Sequence, residues 1–100
     1  MTYKEPEYTE HKVTVVSLDI IEYGYSPEAE LSINPEHGSY RVLLWLNRPG
    51  PRDNNCREVR CDPGPNSREM LRRAVEYPRG AVLAAARIDR ASRAAKEDAE

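Results

Sequence analysis

Large apolar side chains are scarce in this 100-residue chain: Val, Leu, Ile and Phe together number 18. That is slightly under the fraction at which disorder becomes the expectation, but disorder also needs a high net charge, and here the formal charge is only −2. The aliphatics are also concentrated, with 12 of the 18 between Val13 and Leu46. A compact core drawn mainly from the first half follows, under a polar, Arg-rich second half. Two cysteines, Cys56 and Cys61, are too few for a disulfide scaffold. Their C-x4-C spacing lacks the tight knuckles of a structural zinc site, and on one strand it puts them on opposite faces. No metal and no cofactor are expected. Gly24, Gly38, Gly50, Gly64 and Gly80 stand alone, whereas phosphate loops cluster their glycines before a helix. Asp62-Pro63-Gly64-Pro65 does precede a helix start, but its prolines remove the amides that an anion cradle needs. No apolar run is long enough to cross a membrane, and residues 1–6 have no apolar signal core. An intracellular, cytoplasmic chain of one domain is expected.

What is present centres on Tyr40-Arg41-Val42-Leu43-Leu44-Trp45-Leu46, the densest apolar run and the home of the single tryptophan. As a strand it sends Tyr40, Val42, Leu44 and Leu46 to one face and Arg41, Leu43 and Trp45 to the other. Apolar residues on both faces mean either a strand covered twice or one covered once with a sticky second face.

The remaining elements follow from pattern. Residues 1–11 are polar and read as a loose N-terminal arm. His11 to Tyr25 reads as one long strand, with a bulge near Ser17–Asp19 as the alternative. Residues 28–34 alternate cleanly, with Ala29, Leu31 and Ile33 inward. Asn34–Ser39 forms a hairpin loop. Residues 47–55, with two prolines, a glycine, Arg48 and Arg52, read as a mobile functional loop. Residues 56–61 are a fourth strand. Asn66 and Glu69 have capping-box spacing at the start of a helix whose buried stripe is Met70, Leu71, Ala74 and Val75. Tyr77–Gly80 interrupts it. A second helix follows, with Ala81, Ala84, Ala85, Ile88, Ala91 and Ala95 as its small-residue face and a frayed end at 94–100. Residues 81–88 as a strand are the rival. The fold class is therefore α+β: an antiparallel four-stranded meander (about 12–25, 28–34, 39–47 and 56–61), then two helices (about 66–77 and 80–98) packed on one face.

Charge is split. Residues 1–40 hold two lysines against eight acids, whereas 41–93 hold twelve arginines against six. Acidic and basic faces meeting within the fold is the plain reading, and an electrostatic partner site is the sharper one. Arginine outnumbers lysine twelve to three, which suits planar recognition of carboxylate or phosphate, though codon bias gives the same excess.

Two surfaces emerge. Trp45, Leu43 and Tyr40 with Arg48 and Arg52 have the composition of a protein-binding hot spot, or of core if the helices cover them. Arg72, Arg73, Arg79, Arg87, Arg90 and Arg93 line the helices and could track phosphates, or simply be solvated. His37 with Cys56 and nearby acids is a weak catalytic set, because a hairpin tip is a poor place to organise a nucleophile. The expectation is a small non-enzymatic protein-interaction module, with self-association as one form of it. Its bulk character is that of phage or mobile-element regulators and inhibitors that bind a host protein complex. Nucleic-acid binding by the arginine helices is the alternative, and no membrane partner is expected.

Overall fold

In the computed structural model, the residues described are 11–34, 38–61 and 67–98. Four strands, β1 (His11–Val16), β2 (Glu28–Asn34), β3 (Ser39–Trp45) and β4 (Cys56–Cys61), form an antiparallel meander in the order β1-β2-β3-β4. Two helices follow, α1 (Ser67–Glu76) and α2 (Pro78–Asp98). The expected α+β architecture is what the chain adopts. The 34–39 turn and the Asn66 cap fall partly outside the described residues, as do His37 and residues 1–10 of the arm.

Register defines two faces. His11, Val13 and Val15 align with Ile33, Leu31 and Ala29; these continue through Tyr40 and Val42 to Cys61 and Val59. Both helices pack here. Ala74 of α1 and Val82, Ala85 and Ala86 of α2 join Val15, Ala29, Leu31, Ile33, Val42 and Leu44 in one buried cluster. Burial of this apolar surface is the main stabilising term.

The first strand is much shorter than expected. It ends at Val16, and Leu18–Tyr23 turns into a 3-10 helix. The Ser17 amide donates to the Pro27 carbonyl at 2.7 Å, which closes the ladder there. Gly24 ends the turn with φ +88°, its amide reaching Ile20 and Ile21 carbonyls. Only glycine adopts that conformation at little cost. The turn lets Ile20 and Tyr25 enter the core, both fully buried, while Leu18 and Ile21 stay exposed.

The helix stripes are also rotated from expectation. On α1, Ala74 is buried and Leu71 half-buried, but Met70 and Val75 are exposed. On α2 the inward face is Val82, Ala85, Ala86 and Asp89, while Ala84, Ile88, Ala91 and Ala95 are exposed. The interruption is Tyr77 alone. Pro78 opens α2, where a missing amide costs nothing. Helical bonds continue across the junction, Tyr77 N–H to Arg73 O at 2.8 Å and Ala81 N–H to Tyr77 O at 3.2 Å, so it is a kink rather than a loop.

Candidate functional site

Both helices occupy one face, and among the described residues no helix covers the other, although Ser32 on it is only 2% exposed. Its register makes three rows. Lys12, Ser32, Arg41 and Arg60 form the first, and Thr14, Glu30, Leu43 and Glu58 the second; Val16 and Glu28 with Trp45 and Cys56 form the third. Leu43 and Trp45 are half-buried on this face. Leu43 is thus an apolar centre between two glutamates. Arg41 and Arg60 both pair with Glu58, which knits the first two rows together.

At one end of the open face the 46–55 segment folds into a closed hairpin loop. The Leu46 amide donates to Asn55 O at 2.8 Å, and the Asn54 amide to Pro51 O at 3.1 Å. Asn55 is buried; it accepts from Arg48 Nε at 2.6 Å and returns a bond from Nδ2 to Arg48 O at 3.3 Å. Arg52 lies over the Trp45 ring at 4.2 Å, a cation–π contact, and its guanidinium is 4.0 Å from Glu28. Both arginines of the loop thus make contacts, Arg48 with Asn55 and Arg52 with Trp45 and Glu28. Between it and the sheet lies a cleft of about 350 Å³, lined by Ser26, Glu28, Trp45, Arg48, Gly50 and Arg52 among others.

Of the residues singled out as protein-binding, the fold brings Leu43, Trp45, Arg48 and Arg52 together and separates Tyr40. Tyr40 sits on the helix face, half-buried among Met70, Ala74 and Tyr77, with its hydroxyl against Cys61. The reason is parity: Tyr40 and Trp45 are five residues apart on one strand. Burial pushes the Tyr40 hydroxyl up from its ordinary range. Burial, with Glu58 second, also raises the Cys56 thiol, which disfavours the reactive thiolate. Among the described residues no three His, Cys, Asp or Glu side chains gather in reach of one metal ion.

The arginines of the helices take other partners. Arg72 and Arg73 share Glu69 at 3.2 and 3.4 Å. Arg87 Nε donates to the Tyr23 hydroxyl at 3.1 Å. Arg90 donates to Glu22 O at 3.2 Å and lies over the Tyr23 ring at 5.5 Å. Arg93 turns inward. This row clamps the 3-10 segment to α2, the plain internal use of charge. Arg79 is exposed beside a second, more apolar cleft of about 650 Å³ between edge strand β1 and the α1–α2 kink, lined by Val13–Val16 and residues 76–80.

Sequence reasoning missed the most buried polar cluster. Asp89, 5% exposed, accepts from the Tyr25 hydroxyl, from Arg57 Nε at 3.1 Å and from Arg93 Nε at 3.2 Å. Arg93 also donates to the Tyr25 oxygen at 2.8 Å. An acid in phase with Val82, Ala85 and Ala86 on α2 was the available signal. Burial first, then the bond to Asp89, pushes the Tyr25 pKa up to about 12 from 10. Above pH 10 the unfolded chain releases this proton while the folded chain still holds it, so stability falls as pH rises from about 10 to 12. At about 1.4 kcal/mol per unit the loss is on the order of 2 kcal/mol. Urea unfolding at pH 9 and pH 11 should show about 1.4 kcal/mol of this loss from Tyr25 in the wild type. Tyr25→Phe should reduce the fall, leaving what the raised Tyr40 hydroxyl and Cys56 thiol contribute.

No helix among the described residues is long and apolar enough to cross a membrane. Comparison of the chain with protein-family models, with curated proteins and with solved structures returned no significant match.

Proposed function

We propose that this chain is a small non-enzymatic protein-interaction module whose docking surface is the open face of the sheet around Leu43 and Trp45, with the Arg48–Arg52 loop at its rim. The observation that carries this is the one-sided packing of the helices. It leaves the only tryptophan half-exposed on a rigid strand, stacked under an arginine and beside a cleft. Tryptophan and arginine anchors in such a setting dominate binding energy at protein interfaces. The interleaved rows of lysine and arginine with glutamate add a charge pattern that selects partners more than it adds affinity. The non-enzymatic part is supported by the polar cluster: the carboxylate of Asp89 is taken up by three internal donors, and Tyr25 is fully buried. The finer reading, a regulator or inhibitor from a phage or mobile element that binds a host protein complex, rests on size and mixed charge.

The test is a tagged pull-down from the source organism's lysate, with and without nuclease, comparing wild type with Leu43→Asp and Trp45→Ala. A discrete protein captured despite nuclease, and lost in both variants while their circular dichroism is unchanged, is the expected result. Material that nuclease removes would return the arginine helices to first place. A doubled mass in light scattering, abolished by Leu43→Asp, would make a second copy the partner.

A further inference from the structure

The geometry points to a carboxylate-bearing segment of a protein partner as the occupant of the Trp45 cleft, an assignment that rests on the docking reading above. Arg48 and Arg52 flank the cleft, and each is oriented by a group that does not neutralise it. Asn55 is a neutral amide, 5% exposed, and it holds Arg48 through Nε at 2.6 Å. Arg48, held there through Nε, is also part of the cleft lining. Arg52 lies over the Trp45 ring at 4.2 Å, and a guanidinium held on a ring face keeps its N–H edge for planar partners. The acid beside Arg52 is Glu28 at 4.0 Å; their side chains are 63% and 53% exposed, so water screens the pair strongly. The contrast with the rest of the chain is instructive. Arg57 and Arg93 share the buried Asp89, and Arg72 and Arg73 share Glu69. Arg87 and Arg90 also meet neutral groups, on Tyr23 and Glu22, but they clamp the 3-10 segment, whereas the two loop guanidiniums flank the cleft beside Trp45.

A guanidinium with a free planar edge pairs best with a carboxylate or phosphate, through two parallel N–H···O bonds. The surroundings favour the carboxylate. Glu28, Glu30 and Glu58 lie on the same sheet face and Asp53 on the loop itself, so a polyphosphate crossing this surface would meet repulsion on each side. A single acidic side chain avoids them. The cleft, about 350 Å³, lies at the small end for a ligand site and suits one or two side chains. Pro27 and Leu46 supply its apolar wall. The occupant is thus an Asp or Glu next to a small apolar residue on an extended segment.

Trp45 is the only tryptophan, so its emission reports directly on the cleft. A blocked pentapeptide with a single glutamate next to a valine should shift that emission saturably, with affinity at least tenfold weaker in Arg52→Gln and in Arg48→Gln. The same peptide with glutamine in place of glutamate should bind at least tenfold more weakly. Hexalysine should leave it unchanged. Arg52 is exposed and Arg52→Gln should keep the wild-type melting temperature, so loss there is not loss of fold. No saturable change up to millimolar peptide, an equal response in Arg52→Gln, or tighter binding of inorganic phosphate or of a thymidine 12-mer would each overturn the assignment. If Leu43→Asp abolishes capture of a protein partner but Arg52→Gln does not, the docking face stands and the carboxylate assignment alone falls.

Discussion

Asp89→Ala should lower the stability of the folded chain by about 3–5 kcal/mol, the cost of removing one partner from a buried ion pair. The carboxylate is the common acceptor for Tyr25, Arg57 and Arg93. Its loss leaves a fully buried hydroxyl and two half-buried guanidiniums facing a gap. Domains of this size have about 5–15 kcal/mol in total, so the variant should melt at least 12 °C lower or fail to fold. Asp89→Asn, which keeps the shape and one acceptor, should lie between. Truncating Arg57 or Arg93 should cost less, because each is partly solvated and the carboxylate retains its other donors. Urea unfolding followed by circular dichroism measures all of these. A loss under about 1 kcal/mol for Asp89→Ala would mean that water replaces the cluster readily and that it does not tie α2 to the sheet.

Two adjacent leucines provide the second large effect. Leu44 is fully buried on the helix face, so Leu44→Ala should cost about 2–5 kcal/mol. Leu43, one residue earlier and half-buried on the open face, should cost about 1 kcal/mol or less when truncated. The same Leu43→Ala variant should lose partner binding that the conservative Leu44→Met variant would keep. Chemical denaturation of the two variants side by side decides which face is core. Equal costs would mean that the Leu43 face is also covered, and the docking proposal would lose its surface.

The meander was legible because its signals are local. Ala29, Leu31 and Ile33 alternate with polar residues, and the Pro/Gly-rich segments fall between the apolar runs, so strands, turns and their order could be read one segment at a time. The same locality explains the errors. Val15 through Tyr23 is continuously apolar enough to pass for strand, yet Gly24 and the bond from Ser17 to Pro27 convert half of it to a 3-10 turn. That bond joins residues ten apart and has no local signature. On α2 the Ala-rich sequence offers two faces of nearly equal size. Alanine buries so little area that periodicity does not set the rotation, and the sheet chooses Val82, Ala85, Ala86 and Asp89.

The candidate site divides along the same line. By itself the sequence determined that Leu43 and Trp45 share one face of the strand and Tyr40 the other, and that Arg48 and Arg52 sit on one loop, since alternation and turn chemistry require no more than neighbouring residues; grouping Tyr40 with the hot spot ignored that alternation. Only the tertiary structure decided which face the helices cover, that Arg52 stacks on Trp45, that Arg87 and Arg90 are spent on the 18–25 segment, and that Asp89 gathers Tyr25, Arg57 and Arg93. These contacts join residues 4 to 68 positions apart. Apart from the Arg52–Trp45 stack, which lies on the opposite face, each depends on where α2 docks, and that is set by the summed burial of the whole core rather than by any stretch of the chain.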